Sequence, residues 1–296
     1  MKIFVTGANG FIGRAFCHAA IAAGHEILGL CRHSTVPLPS GCQTLVGDLT
    51  NLPWEDVQRF APDALLHLAW IVTPGAYLTS PVNDALIGQS EELFRKATDL
   101  GVRHLAATGT CIEYAPAEQP LGEDVSPLAP TLTYSRAKMA TSRMLESVAT
   151  EREVLWTWFR IFYCFGEGEH PDRIVSWIMR KLAAGESVEV KTPDSVKDYI
   201  HVDDVASAML WCLEKKITGS VNVACGHGVR IFDLAQKIAQ VVQAEPSLVS
   251  GANPPAHDPF PTTVADISRL KDTGWTPRLS LAQGLERMWQ ISNSVR

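Results

Sequence analysis

Residues 2–13, Lys2-Ile3-Phe4-Val5-Thr6-Gly7-Ala8-Asn9-Gly10-Phe11-Ile12-Gly13, decide how the rest of the chain is read. A short apolar run ends in a Gly-x-x-Gly-x-x-Gly turn, and the turn opens onto Phe11–Ala23, whose apolar spacing predicts a helix. Each glycine has a mechanical purpose in such a turn. Gly7 permits the tight bend, Gly10 lets the backbone approach a pyrophosphate, and Gly13 lets helix and sheet pack closely. The helix N-terminus then aims unpaired N–H groups and a partial positive charge at the phosphates. A glycine-rich surface turn would have neither the strand before it nor the helix after it, so the segment predicts the start of a dinucleotide-binding unit.

Outward from this turn, short apolar runs alternate with helical patterns. Lys2–Thr6, Glu26–Cys31, Thr44–Val46, Ala64–Ala69 and His104–Thr108 read as buried parallel strands. Phe11–Ala23, Trp54–Phe60 and Pro81–Leu100 read as the helices between them, followed by a helix at Thr131–Ala149 and a strand at Val154–Phe162. Past Gly166 the loops lengthen, and helices are expected at Pro171–Gly185, Asp203–Lys215, Ile231–Val242 and Leu281–Ser292. The expected fold is α/β: a Rossmann-type doubly wound parallel sheet over residues 1–165, with a smaller, interleaved C-terminal α/β lobe over 166–296 that binds substrate. Segments near 196–225 are expected to return to the first domain.

Composition excludes several classes of function. The chain has 296 residues, 46% hydrophobic and 20% charged, enough to bury a sizeable core. A net charge of −6 argues against a nucleic-acid partner, because phosphate contacts need clustered Lys and Arg. No run of eighteen apolar residues is present, and Met1-Lys2 leads straight into a strand with no signal-peptide pattern, so a cytoplasmic protein without a membrane partner is expected. Cysteines stand at 17, 31, 42, 111, 164, 212 and 225, with no Cys-x-x-Cys pair and no zinc-like spacing to His, which predicts reduced thiols and no metal site. His170, His201, His227 and His257 are scattered and read as loop or packing residues, and Trp211, Trp275 and Trp289 as core.

Cofactor choice is read at the end of the second strand. Leu30-Cys31-Arg32-His33-Ser34 lacks the carboxylate that would bind ribose hydroxyls and offers a guanidinium suited to a 2′-phosphate. NADP(H) is therefore favoured over NAD(H), unless Arg32 is a solvated loop charge. Asp48, in Val46-Gly47-Asp48-Leu49, follows the third strand and reads equally as an adenine contact or a turn former.

Tyr134-Ser135-Arg136-Ala137-Lys138 places a phenol and an ammonium four residues apart, on one helix face. The ammonium lowers the phenol's pKa and makes it a usable general acid/base. A solvated pair on an exposed helix would look the same. Here, however, the pair follows the glycine turn and five strands, and the hydroxyl of Thr110 precedes it at the C-terminal end of a strand, where α/β sheets place their chemistry.

With these segments in order, the chain resembles the extended short-chain dehydrogenase/reductases of the NAD-dependent epimerase/dehydratase family over almost its whole length. Thr6–Gly13 matches the family's cofactor turn, which brings in Phe11 and Ile12, and Gly47-Asp48-Leu49 matches its adenine-side segment. His67-Leu68-Ala69-Trp70 matches the nicotinamide-side segment, which usually ends in Ala-Ala. Asp198-Tyr199-Ile200-His201-Val202-Asp203-Asp204-Val205 resembles the mid-chain signature, and Gly274-Trp275-Thr276-Pro277 the C-terminal one. The resemblance implies that Thr110 hydrogen-bonds the substrate oxygen, Tyr134 gives or takes the proton, and Lys138 binds the nicotinamide ribose. It further implies that Leu68, Ala69, Trp70 and Phe162 line the cofactor. Thr73, Cys111, Glu113, Tyr163, Arg173 and Lys197 fall on the substrate side. Helices Pro81–Leu100 and Thr131–Ala149 resemble the pair that joins two copies into a homodimer.

Departures from the family pattern narrow the reaction. Sugar 4,6-dehydratases carry Thr-Asp-Glu where this chain has Thr110-Cys111-Ile112, which argues against dehydration. Epimerising reductases carry a Cys two residues past the catalytic hydroxyl and a His in the next lobe; here Cys111 is one step off and Arg173 replaces the His. Cys111 reads as a small buried residue. Tyr163 stands where Asn is usual, and Lys197 where Arg is common. Arg173, Arg230 and Asp258 lie in the second lobe's loops and read either as contacts to nucleotide or sugar or, as isolated charges more often are, as solvated. The run Ala107–Tyr114, with His67–Trp70 and Pro74-Gly75-Ala76-Tyr77, looks most like enzymes that reduce NDP-4-keto-6-deoxyhexoses. The expected activity is NADPH-dependent reduction of the C4 ketone of such a nucleotide-sugar. A 4-epimerase that retains NAD(H), or another keto or aldehyde reductase, is the alternative, and a non-catalytic NADP(H) sensor a remote one.

Overall fold

The computed structural model describes residues 1–32 and 37–294, so His33 and Ser34 of the strand-end segment lie outside the described residues. The first half of the chain runs β1 (Lys2–Thr6), α1 (Phe11–Ala22), β2 (Glu26–Cys31), β3 (Cys42–Val46), α2 (Trp54–Phe60), β4 (Ala64–His67), α3 (Val82–Asp99), β5 (His104–Thr110), α4 (Thr133–Glu151) and β6 (Leu155–Ile161). The second runs β7 (Tyr163–Phe165), α5 (Ile174–Ala183), β8 (Val188–Val190), β9 (Val196–His201), α6 (Val202–Lys215), β10 (Gly219–Val223), β11 (Gly228–Arg230), α7 (Ile231–Val241), β12 (Val249–Gly251), β13 (Thr262–Thr263), α8 (Ser268–Asp272) and α9 (Leu281–Ser294). Elements of the first half lie within two residues of their expected ends. In the second half the four longer helices were legible, whereas five-residue α8 and the short strands, two or three residues long in several cases, carried no periodic signal.

Two compact units emerge. Unit 1 comprises Met1–Glu113, Leu128–Ile161 and Val205–Val221; unit 2 comprises Tyr114–Pro127, Phe162–Asp204 and Asn222–Arg296. Tyr114–Pro127 thus counts with unit 2, although the sequence reading left it in the first half.

Unit 1 is built on a sheet of strand order β10-β6-β5-β4-β1-β2-β3, with β1 parallel to both β2 and β4. The chain lays β2 and β3 to one side of β1, then crosses to lay β4, β5 and β6 on the other. The order therefore reverses between β1 and β4, and crevices for ligands open beyond the carboxyl ends of strands at such a switch point. Burial explains the strands: Ile3, Phe4 and Val5 are fully buried, as befits a sheet covered on both faces. Helix α3 turns the stripe Asn83, Leu86, Ser90, Leu93, Phe94 and Ala97 inward at helical spacing.

The expected strand Ala64–Ala69 stops at His67 for a local reason. The Leu68 N–H makes the last ladder bond, to the Thr6 carbonyl at 3.2 Å, and shares itself with the Thr6 side-chain oxygen at the same distance, and the Ala69 N–H turns to that side-chain oxygen alone, also at 3.2 Å. The helix expected from Pro171 begins at Ile174, because Arg173 keeps an extended backbone (φ −70°, ψ 148°).

Unit 2 centres on β9. Its first half is flanked by antiparallel β11 and parallel β13, and its second half pairs with parallel β7, Tyr163 opposite Tyr199. A separate core includes Phe165, Ile178, Leu234, Ile238 and Leu285. Its two signature segments act as staples. Asp198, fully buried on β9, accepts the backbone N–H groups of Cys225 and Gly226 at 2.9 Å and Ala265 at 3.2 Å. Asp204 accepts those of Arg278 and Leu279, each at 3.0 Å, just past Gly274–Pro277.

Candidate active site

The glycine turn has the geometry its sequence demands. Gly7 adopts φ +67°, and a Cβ there would lie 2.8 Å from the Ala69 nitrogen. A Cβ on Gly13 would collide with the Gly7 carbonyl oxygen, so α1 packs directly onto its own turn. Gly10 is the N-cap of α1 and provides no side-chain cap, leaving the helix end open to an anion. These features fit a dinucleotide pyrophosphate. Arg32 is exposed at the end of β2. Asp48 is a turn former: its Oδ1 accepts the Thr50 hydroxyl at 2.7 Å and the N–H groups of Thr50 and Asn51 at 2.8 and 2.9 Å. Those bonds, led by the Thr50 hydroxyl, hold its carboxyl below the usual value, with a smaller contribution from the Arg32 charge. Leu49 packs against the core beneath.

Beside the turn, Thr6, His67 and Ser90 form a buried chain of hydrogen bonds. The Ser90 hydroxyl donates to the Leu86 carbonyl at 2.7 Å, so it accepts from His67 Nε2–H at 3.1 Å. His67 Nδ1 then accepts the Thr6 hydroxyl at 2.7 Å, while the Thr6 oxygen accepts Leu68 and Ala69. The network requires a neutral imidazole. Burial, and secondarily the Lys138 charge, push the His67 pKa down to about 3. The result is a fixed backbone path at Leu68-Ala69, against the room that Gly7 leaves.

Lys138 and Tyr134 lie on one face of α4, with the ammonium 5.9 Å from the centre of the phenol ring. Lys138 is buried, donates to the Thr108 carbonyl at 2.8 Å, and sits 3.8 Å from the centre of the Trp70 ring. Burial pulls its pKa down to about 7, opposed by the Glu113 charge. Tyr134 remains partly exposed, as does Thr110 at the end of β5. Thr73 is exposed, and its carbonyl accepts Ala76 and Tyr77 N–H groups at 3.2 and 3.1 Å, opening the turn that carries Tyr77.

Two substrate-side assignments are corrected. Glu113 is fully buried, and its carboxylate accepts the Thr110 N–H at 2.9 Å, the Trp158 indole N–H at 3.1–3.2 Å and Arg160 Nε at 2.9 Å. It cannot reach a substrate; it lies beneath Thr110. Desolvation raises its pKa while Arg160 lowers it. Lys197 is likewise buried, its ammonium bonded to Asp258 Oδ2 at 2.8 Å and to the Phe260 carbonyl. Read separately, these looked like a substrate cation and a solvated acid; together they tether the loop around Asp258. Cys111 is buried.

Phe162, Tyr163 and Arg173 belong to unit 2. Phe162 is buried, with its N–H bonded to the Val223 carbonyl at 3.1 Å. Tyr163 is half-buried, 5.7 Å from the Tyr199 ring, and Arg173 is the N-cap of α5. Arg230 pairs with Asp194 on an exposed face at 2.6 Å. Sequence reasoning missed Asn83, Trp158 and Arg160. The one available signal was polarity at a stripe position, as at Asn83. Among the described residues no group of His, Cys, Asp and Glu could hold a metal ion, and no helix is long and apolar enough to cross a membrane.

Comparison with known proteins places this geometry among relatives. A family model, that of the NAD dependent epimerase/dehydratase family, matches residues 3–224. The chain is 28% identical to putative GDP-L-fucose synthase 2 of Arabidopsis thaliana, covering 100% of this chain and 93% of that one. It is 26% identical to GDP-6-deoxy-D-mannose reductase of Pseudomonas aeruginosa, over 96% and 94% of the two chains. Its fold matches a crystal structure of UDP-glucose 4-epimerase with UDP-glucose from Thermotoga maritima, with a TM-score of 0.83 at 22% identity and full coverage of both chains.

Proposed function

Because the chain belongs to the NAD-dependent epimerase/dehydratase family, enzymes of the extended short-chain dehydrogenase/reductase type, we propose that it reduces the C4 ketone of a nucleotide-diphospho-4-keto-6-deoxyhexose with NADPH. The observation that carries this reading is the Tyr134–Lys138 pair beside β5, in a site whose nearby acid, Glu113, is buried and engaged. A dehydratase needs a carboxylate free to work on the substrate; the run from Thr110 to Glu113 offers none.

In this reading Gly7, Gly10 and Gly13 hold the pyrophosphate at the start of α1, Arg32 meets the 2′-phosphate, and Lys138 bonds the nicotinamide ribose. Leu68, Ala69 and Trp70 line the nicotinamide side. Bound NADPH supplies the hydride. The Thr110 hydroxyl donates a hydrogen bond to the C4 oxygen, and Tyr134 protonates that oxygen as charge develops on it. The Lys138 ammonium makes the phenol the stronger acid. Tyr163 and Arg173 are proposed as substrate contacts, and a cytoplasmic homodimer formed through α3 and α4 as the working form.

The test is cofactor oxidation with dTDP-4-keto-6-deoxyglucose, and with GDP- and CDP-linked keto-sugars in parallel. Consumption of NADPH well above NADH supports a 4-ketoreductase. If neither cofactor is consumed with any keto-sugar, the reading fails. The second reading, a 4-epimerase, predicts tightly held NAD(H) with no net cofactor consumption.

A further inference from the structure

The buried stripe of α3 contains two polar residues, Asn83 and Ser90, where core packing alone would call for apolar ones. Both reach back to the end of β4 or the segment that follows it. Ser90 bonds His67, and Asn83 Oδ1 accepts the Trp70 indole N–H at 2.8 Å. The Asn83 amide nitrogen donates to the Tyr77 carbonyl at 2.7 Å and the Ser80 carbonyl at 2.9 Å. Fully buried, Asn83 staples the loop of residues 70–80 closed with both ends of its amide.

What that loop presents is the reason to single it out. The Trp70 ring lies 3.8 Å from Lys138 Nζ. The Tyr77 ring stands edge-on to Tyr134, with centroids 4.9 Å apart at 84°. The Leu78 carbonyl accepts the Tyr134 N–H at 3.0 Å. Three residues of one loop thus bear on the two groups proposed for the chemistry. Alanine, usual in the resembled family at position 70, would offer Lys138 no ring face and Asn83 no N–H.

We propose that Trp70, pinned by Asn83, is a positioning residue whose indole face holds the Lys138 ammonium in place for the cofactor ribose. The inference rests on the proposed role of Lys138. A buried ammonium needs partners for its charge, and this one has the Thr108 carbonyl on one side and the indole face on the other. The titratable groups facing it are Glu113, which favours the charged form, neutral His67, and Tyr134 on its own helix. With its pKa already pulled to about 7, Lys138 holds its proton only marginally at neutral pH. Loss of the indole face shifts it toward the neutral amine.

The experiment follows NADPH and NADH binding by nicotinamide fluorescence from mildly acid to alkaline pH in the wild type, Trp70→Phe and Trp70→Leu, with keto-sugar turnover measured alongside. Wild-type affinity is expected to weaken as pH rises through the Lys138 pKa. In Trp70→Leu that midpoint falls by about half a pH unit to one and a half units, and Trp70→Phe, which keeps a ring face, stays close to wild type. A midpoint that is unchanged or raised in Trp70→Leu overturns the inference, as does pH-independent binding in the wild type. Should the leucine variant not fold, site-specific fluorinated tryptophans at position 70 weaken the ring's attraction without changing its shape; a stepwise fall in midpoint supports the inference and a flat series overturns it. The two readings separate cleanly. Turnover with an unmoved midpoint sinks the Trp70 role alone, and a shifted midpoint without turnover sinks the reductase alone.

Discussion

Glu113 lies behind Thr110: its Oε1 accepts the Thr110 N–H at 2.9 Å, while Oε2 accepts Arg160 Nε at the same distance. The carboxylate is thereby a fixed backing for a residue proposed to touch substrate. The space it needs is left by Gly109, where a Cβ would collide with both Glu113 and the Trp158 indole.

Breaking this pair from one side should be costly, because Arg160 would stay buried while losing the carboxylate that balances its charge. Glu113→Ala is expected to lose about 3–5 kcal/mol of unfolding free energy in urea titrations. Glu113→Leu combined with Arg160→Met removes both charges and is expected to lose much less. If the double variant proves as unstable as the single one, the stranded-charge argument is wrong.

Tyr134→Phe tests the proton-transfer assignment. Turnover is expected to drop about 10²–10⁴-fold, with NADPH affinity little changed because Lys138 and the glycine turn are intact. Near-wild-type turnover in this variant would remove Tyr134 from the mechanism.

The neutral His67 makes stability depend on pH. Its folded pKa, about 3, lies below its ordinary value of 6.5, so within that window the unfolded chain takes up a proton that the folded chain refuses. Unfolding free energy therefore falls as pH drops from 6.5 toward 3, by up to about 1.4 kcal/mol per pH unit from this residue. His67→Gln removes that titration, so the stability gap between wild type and variant should narrow on acidification. Parallel curves from urea melts at a series of pH values would show that His67 does not titrate this way.

Arg32→Asp should exchange the proposed phosphate partner for a ribose-hydroxyl partner. NADPH affinity is expected to fall about ten- to a hundredfold, the worth of a charge-assisted hydrogen bond, while NADH affinity holds or improves. Equal losses for both cofactors would point to a structural effect instead.

Much of the site was legible before folding because its residues are local in sequence. The glycine turn acts through spacing of three, and Tyr134 with Lys138 through helical spacing of four. Asp48 shows what geometry adds to a reading that sequence leaves open: three short-range bonds to one oxygen make it a turn former. Glu113 and Lys197 were misread because a charged residue on its own gives no sign of whether it meets solvent, substrate or a buried partner. Their partners lie 47 and 61 residues away.

By itself, then, the sequence determined the strand–turn–helix start, the alternation that builds the parallel sheet, and the spacing of the reacting groups on α4. Periodicity and glycine sterics act over a few residues and survive in a one-dimensional reading. Tertiary structure alone decided which polar side chains are buried and what compensates them: Thr6 with His67 and Ser90, Asn83 with Trp70, Glu113 with Arg160. Desolvation and hydrogen-bond satisfaction depend on groups brought together from distant strands and helices, and burial strengthens each such bond while making its absence costly.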